Sequence, residues 1–374
     1  MDTEQKIYAL GRAAKFDVCQ ASDIPTDTPP RDALASCVFH AVKRGGGCTP
    51  LLKLLQSNVC ERDCAYCANR SGRDTRRTTL APEELARTFD DMVRRRLVEG
   101  LFLSSGMCGH ADQAMGRMLA TVDLIRNRYA FRGYVHLKIL PGADPAAISA
   151  ALALADRVSV NLEAPTPERL QVLSRTKDYG RELWTALETA ERTRRDERRR
   201  VSMTTQFVVG AAGEEDRELL DTAGRLYRDL GLARVYYSAF RPVSDTPLEG
   251  HAPAPLWRQN RLYQADMLLS LYGFTPDELV YDARGMLSRD DDPKVAWARA
   301  HPERFPVEVN RASKEDLLRV PGIGPTSAER IVRWRREGAL TDLAQVGKAG
   351  AAAKRAAPYV LLNGRRPVHQ MALW

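Results

Sequence analysis

The 374-residue chain contains no run of eighteen apolar residues, so no membrane-spanning helix is expected. Met1 to Leu10 carry acidic side chains and lack an apolar stretch, so no secretory leader is expected there. Cysteine is sparse and odd in number, seven in all, with three in one short motif. A disulfide framework is therefore not expected, and a reducing cytoplasm is. An excess of either charge is missing from most of the chain. Before Pro293 the 41 Lys+Arg and 41 Asp+Glu cancel, whereas residues 293–374 hold 15 Lys+Arg against 7 Asp+Glu, the whole of the net +8. A basic C-terminal module on a neutral body predicts a polyanionic partner, with nucleic acid the usual one. The length leaves room for two or three domains and a large core.

What is present begins at Cys60-Glu61-Arg62-Asp63-Cys64-Ala65-Tyr66-Cys67, three cysteines spaced C-x3-C-x2-C after the apolar run Leu51 to Leu55. Three thiolates this close can hold three corners of a cubane iron-sulfur cluster and leave one iron without a protein ligand. Such an open position is what distinguishes a catalytic metal site from a closed structural one. Structural zinc with an outside ligand, or free thiols, are the competing readings. With Tyr66 directly before the third cysteine, the motif resembles the radical S-adenosylmethionine superfamily. That resemblance implies a 4Fe-4S cluster held by Cys60, Cys64 and Cys67, whose fourth iron is chelated by the amino and carboxylate groups of S-adenosyl-L-methionine. It also implies an external electron donor and a 5'-deoxyadenosyl radical that abstracts hydrogen from a substrate.

Residues 1–50 read as an N-terminal extension of short helices and loops. Cys37-x2-His40 followed by Cys48 suggests part of a second metal site or, with Cys19, ordinary buried thiols. Gly45-Gly46-Gly47 has no following Lys-Ser/Thr and no expected strand before it, so a turn is expected. From about 51 to 250 short β-type runs alternate with amphipathic ones. Strands are expected at Leu51 to Gln56, Leu101 to Ser105, Val135 to Leu140, Val158 to Leu162, Ser202 to Val209 and Val235 to Phe240. Six strand-helix units predict an α/β fold with a parallel sheet, and the resemblance implies a partial (β/α)6 barrel over 51–250. Residues 251–304 read as a helical bridge.

In such barrels the working residues sit at the C-terminal ends of strands. There the resemblance places Ser104-Ser105-Gly106 as a cofactor turn, with Tyr66 beside it. It assigns Asn161, Glu163 and Arg175 to the ribose and carboxylate of S-adenosylmethionine, a salt bridge between Glu163 and Arg175 being the plainer reading. Gln206 lies on the fifth strand, ahead of Gly210-Ala211-Ala212-Gly213-Glu214, which is similar to the superfamily's adenine turn. Cys108 is a candidate hydrogen donor or substrate ligand, or a buried thiol behind the loop. His110 and His136 show no ligand spacing.

Residues 305–374 form the second signal. Ser313 precedes a short helix, and Val320-Pro321-Gly322-Ile323-Gly324 turns the chain into Ser327 to Val332. This resembles the helix-hairpin-helix motif of DNA repair and uptake proteins, with a weaker second copy over Leu343 to Gly350. Glycines let the hairpin backbone approach a phosphate, and the next helix adds its positive N-terminal end. Gly322, Ile323, Gly324, Arg330 and Arg333, with Arg335 and Arg336, are the candidate contacts to duplex DNA. Such contacts position a duplex without reading its sequence. The two modules together resemble radical S-adenosylmethionine proteins assigned to DNA modification or repair, which accompany a uracil-DNA-glycosylase-like protein partner. RNA or a nucleotide as substrate, and a DNA-bound iron-sulfur redox sensor without turnover, are the alternatives.

Overall fold

The computed structural model describes residues 2–14, 34, 37–42 and 47–367. They group into two compact units, Met1–Glu214 with Arg225–Pro255, and Glu215–Gly224 with Leu256–Trp374. The first is a curled seven-stranded half-barrel sheet with its strands in sequence order, β1 to β7.

Helix α1 (Thr3–Ala13) is capped by Asp2, whose carboxylate accepts the Gln5 N–H. It precedes β1 (Val38–Val42), which pairs antiparallel with β2 (Cys48–Leu55). This hairpin was not expected in residues 1–50. Val-Phe-His-Ala-Val is too short to show a period, and only pairing with the longer β2 makes it a strand. The glycine run therefore does follow a strand; Gly47, at φ 79°, ends the connection, and residues 43–46 lie outside the described residues.

From β2 the sheet is parallel through β3 (Gly100–Ser104), β4 (Tyr134–Lys138), β5 (Arg157–Ser159), β6 (Ser202–Val209) and β7 (Arg234–Ala239). The six expected parallel strands are all present. Between them run α2 (Pro82–Arg94), α3 (Ala111–Asp123), α4 (Pro145–Leu154), α5 (Pro167–Leu173), α6 (Thr185–Asp196) and α7 (Asp216–Leu230). Helix α2 starts with proline at its first position and buries Leu85, Phe89 and Met92 along one face.

β5 is shorter than its apolar run predicts. After Ser159 the chain leaves the regular ladder and returns to it at Glu163, through Glu163 N–H to the Gln206 carbonyl at 2.9 Å and Val208 N–H to the Glu163 carbonyl at 2.8 Å. Glu163 takes φ 64° there, a left-handed conformation that strains a residue with a side chain.

The second unit contains α8 (Leu256–Leu271), α9 (Pro293–Ala300), α10 (Lys314–Arg319), α11 (Pro325–Trp334), α12 (Leu343–Lys348) and α13 (Ala353–Ala356). Its core gathers Val309, Leu317, Ile323, Ile331, Val346 and Val360. Both hairpins read from the sequence are present, α10 to α11 and α12 to α13. The unit is not purely helical, because β8 (Val307–Glu308) pairs with β9 (Val360–Leu361) and ties the segment before α10 to the segment after α13.

Lys294 is buried in this unit with its Nζ 2.5 Å from the Ile323 carbonyl and 4.6 Å from the Tyr272 ring centre. Burial drives its pKa down to about 7, against the opposing pull of Asp292 and with help from Arg355 and Arg319. The folded state therefore binds fewer protons at Lys294 than the unfolded chain between about pH 7 and the ordinary lysine value of 10.5. Stability should rise with pH from 7 towards 9, by up to about 1.4 kcal/mol per unit. Urea denaturation of the full chain at several pH values checks this, and Lys294→Met should flatten the dependence.

Candidate active site

The cysteine loop leaves β2 and is fastened to its neighbours on every side. Asn58 accepts the Thr78 N–H at 2.7 Å and donates to the Arg76 carbonyl at 2.8 Å. Arg77 donates to the carbonyls of Asn58, Asn69 and Arg70 at 2.6–2.8 Å. The turn after β3 lies against the same loop, since Gly106 donates to the Ser57 carbonyl and Glu61 to the Met107 carbonyl, both at 2.6 Å. A Cβ at Gly106 would lie 2.4 Å from the Val59 carbonyl oxygen, so only glycine permits the approach. Gly106→Ala is expected to cost about 1–3 kcal/mol and to lower cluster loading, as read by denaturation and iron content.

Asp63, between the first two cysteines, accepts hydrogen bonds from Ser174 Oγ at 2.6 Å, Thr176 Oγ1 at 2.7 Å and the Arg175 N–H at 3.1 Å. Burial opposes its ionisation, yet these bonds outweigh that and hold its carboxyl at about 2. Arg62 reinforces the joint through the Thr176 carbonyl and Glu182.

Cys60, Cys64 and Cys67 line one cavity together with Tyr66. Burial raises the Cys64 and Cys67 thiols, Cys67 to about 12, and the neighbouring sulfurs add to the effect. Thiols that resist ionisation together need a strong cationic partner to become ligands. Among the described residues no three His, Cys, Asp or Glu side chains form a group for a single metal ion. The Asn69 N–H, 3.4 Å from Cys67 Sγ, is a donor suited to a cluster-bound sulfur.

Ser104, Ser105 and Gly106 line the cavity from β3, Asn161 and Glu163 from the chain after β5, and Gln206 from β6. Arg175 does not. Its side chain is exposed, and the expected Glu163–Arg175 pair is replaced by Lys177, whose Nζ lies 3.1 Å from Glu163 Oε1 with both side chains buried. Burial works against the Lys177 charge, but the Cys64 sulfur and the Glu163 carboxylate outweigh it and keep it cationic. Burial first and the Glu163 carboxylate second raise the Tyr66 hydroxyl and keep it protonated. The left-handed turn at Glu163 sets its carboxylate against Lys177.

Cys108 also departs from expectation. It does not line the cavity, and it is half-exposed rather than buried, its Sγ 3.5 Å from Glu61 Oε1. Cys37 is buried beside the Ile7 carbonyl while His40 and Cys48 are exposed; Cys19 lies outside the described residues. The turn after β6 is closed by Glu214, which accepts N–H bonds from Gly210 and, at 3.1 Å, from Ala212. Sequence reasoning missed Lys177 and Lys138, which line the cavity, and Asp63, whose position between two cysteines was the available signal.

In the second unit Gly322 has φ 87°, and a Cβ there would lie 2.6 Å from the Ala352 carbonyl. The same contact is bridged by the Ala352 N–H donating to the Gly322 carbonyl at 2.8 Å, so each hairpin turn rests on the other. Ile323 is buried and Gly324 caps α11. Arg330, Arg333 and Arg336 are exposed. Arg335 is committed internally, donating to the Val309 and Ala312 carbonyls at 2.9 and 2.6 Å, and leaves the set of candidate phosphate contacts.

Comparison with known proteins agrees with this geometry. Residues 55–226 match the model of the Radical SAM superfamily and residues 304–349 that of the helix-hairpin-helix motif. A curated relative, biotin synthase 2 of Frankia casuarinae, is 26% identical over 198 residues, 52% of this chain and 51% of the relative. The chain thus spans about half the length of the curated relative it matches. Among solved structures, the [FeFe]-hydrogenase maturase HydG from Carboxydothermus hydrogenoformans aligns with a TM-score of 0.49 at 16% identity, covering 59% of this chain and 51% of that one. Methylornithine synthase PylB aligns at 0.47 and 14%, covering 72% and 76%. No helix among the described residues is long and apolar enough to cross a membrane. Radical SAM proteins use a 4Fe-4S cluster and S-adenosylmethionine, and the chain carries a Radical SAM domain over residues 55–226 with a helix-hairpin-helix motif over residues 304–349.

Proposed function

We propose that the chain is a radical SAM enzyme that acts on DNA in modification or repair. The observation that carries this reading is the joining, in one chain, of a three-thiol cavity faced by a buried Glu163–Lys177 pair and a basic tandem-hairpin unit. When bound, the cluster and S-adenosylmethionine supply one-electron chemistry that ends in hydrogen abstraction from a substrate carbon.

The chain's own residues set its terms. Cys60, Cys64 and Cys67 would hold the cluster, and Lys177 would offset its negative charge. Glu163 would accept from the amino group of the cofactor, and Asn161 and Gln206 would orient its ribose and adenine. Ser104, Ser105 and Gly106 would form one wall of the cofactor site. An external electron donor is required. The hairpin turns and the exposed Arg330 and Arg333 would hold duplex phosphates independently of sequence. A half-barrel cannot admit a duplex, so the reacting nucleotide must leave the stack or lie at a strand end. A uracil-DNA-glycosylase-like partner would fit a role in base repair.

The test is release of 5'-deoxyadenosine by reduced, cluster-loaded protein given S-adenosylmethionine, with and without duplex DNA. Release should rise with DNA, and the rise should vanish in the Gly322→Val/Gly324→Val variant while basal release persists. Release indifferent to every DNA tested would remove DNA from the proposal.

A further inference from the structure

The segment that follows α5 is laced to the cysteine loop. Ala65 N–H donates to the Leu173 carbonyl at 2.7 Å, and Asp63 accepts from Ser174, Arg175 and Thr176 in turn. Lys177 is the next residue, so its backbone is fixed beside the loop. Its side chain turns inward and lines the same cavity as Cys60, Cys64 and Cys67. It is 8% exposed, with its Nζ 3.1 Å from Oε1 of the buried Glu163.

Glu163 balances Lys177, but the two charges do not meet the thiols equally. Lys177 acts on Cys64 more strongly than Glu163 does, and it is also the cation acting on Cys67. Glu163 is the charge that acts most on Tyr66. The pair is therefore oriented, with its ammonium end towards the sulfurs and its carboxylate end towards the tyrosine. Arg62 and Lys138 also line the cavity, yet neither is among the groups that act most on Cys64 or Cys67, and Arg62 is paired with Glu182 at 2.6 Å. In a buried, low-dielectric site a fixed charge acts on its neighbours far more strongly than in water.

We propose that Lys177 sets the reduction potential of the cluster held by Cys60, Cys64 and Cys67, raising it and so easing entry of the one electron that the chemistry needs. Cluster potentials follow net charge, hydrogen bonds to the sulfurs and exposure. Three thiolates already load the site with negative charge, and reduction adds more. A neighbouring cation therefore stabilises the reduced state more than the oxidised one. No bond forms or breaks in this step: the external donor loses one electron, the cluster gains it, and Lys177 keeps its proton throughout. Lys177 acts through the cluster, which makes it a positioning residue. The inference rests on the reading of the three thiols as the cluster site of a radical enzyme, and names what tunes that site.

The experiment is a redox titration of the cluster-loaded full chain, followed by electron paramagnetic resonance, with neither S-adenosylmethionine nor DNA present. The principal variant is Lys177→Met/Glu163→Gln, which leaves no buried charge unpaired and so folds where Lys177→Met alone does not. In it the oxidised-to-reduced ratio at a given potential should rise by about tenfold or more, a fall in midpoint of about 59 mV or more for one electron. Glu163→Gln alone keeps the lysine and should raise the midpoint. A double variant with the midpoint of the unaltered chain would overturn the proposal, because a pair that serves stability alone moves the unfolding transition and not the potential. An equal fall in Glu163→Gln would overturn it too, by assigning the effect to disturbed packing. A shifted midpoint in a chain that releases no 5'-deoxyadenosine would sink the catalytic reading and not this one, and release with an unmoved midpoint would do the reverse. An unaltered chain that loads no cluster would sink both.

Discussion

Cys64→Ala protein should contain no assembled cluster and release no 5'-deoxyadenosine, while binding duplex DNA as tightly as the unaltered chain. Cys64 is the most enclosed of the three thiols, and two remaining thiolates cannot hold three corners of a cubane. The loop itself should survive. Its anchors are Asp63 on Ser174 and Thr176, Ala65 N–H on the Leu173 carbonyl at 2.7 Å, and Arg77 on three carbonyls, none of which uses a cysteine. The hairpins belong to the other compact unit, so the phosphate contacts proposed for them do not depend on iron. Iron and sulfide content with a DNA titration of the same preparation measures both halves, and loss of DNA binding together with the cluster would break the two-module account.

Lys177→Met should destabilise the barrel unit by about 3–5 kcal/mol, because removing one partner of a buried ion pair leaves the other charge uncompensated. The partner is Glu163, held by backbone pairing with β6 in a strained turn and unable to swing into solvent. The Tyr66 hydroxyl stays neutral, and a neutral group does not replace a cation. Adding Glu163→Gln should recover much of the stability, since an amide needs no counter-charge. Urea denaturation of the single and double variants checks the pair. Restored stability without restored cofactor binding would separate the structural part of the pair from its part in the site.

Much of this was legible in the sequence because it was local. The cysteine spacing, the strand-helix alternation and the Gly-Ile-Gly turn each fit within a few residues, and the structure contains all three. What the sequence hid was pairing at a distance. Arg175 and Lys177 are both cations following Glu163, and nothing in their order says which one turns inward; the Asp63 clamp on the 174–176 segment decides it. β1 is invisible without β2, and Arg335 looks like its neighbours until α11 places it against the Val309 and Ala312 carbonyls.

Cys60, Cys64 and Cys67 are proposed to hold a 4Fe-4S cluster with one iron open to S-adenosylmethionine. The most direct measurement is the electron paramagnetic resonance spectrum of the reduced full-length protein before and after addition of S-adenosylmethionine. A reduced-cluster signal is expected whose g values shift when the cofactor binds, with no such signal in Cys64→Ala protein. A fully loaded cluster whose spectrum is unchanged by saturating S-adenosylmethionine would contradict it.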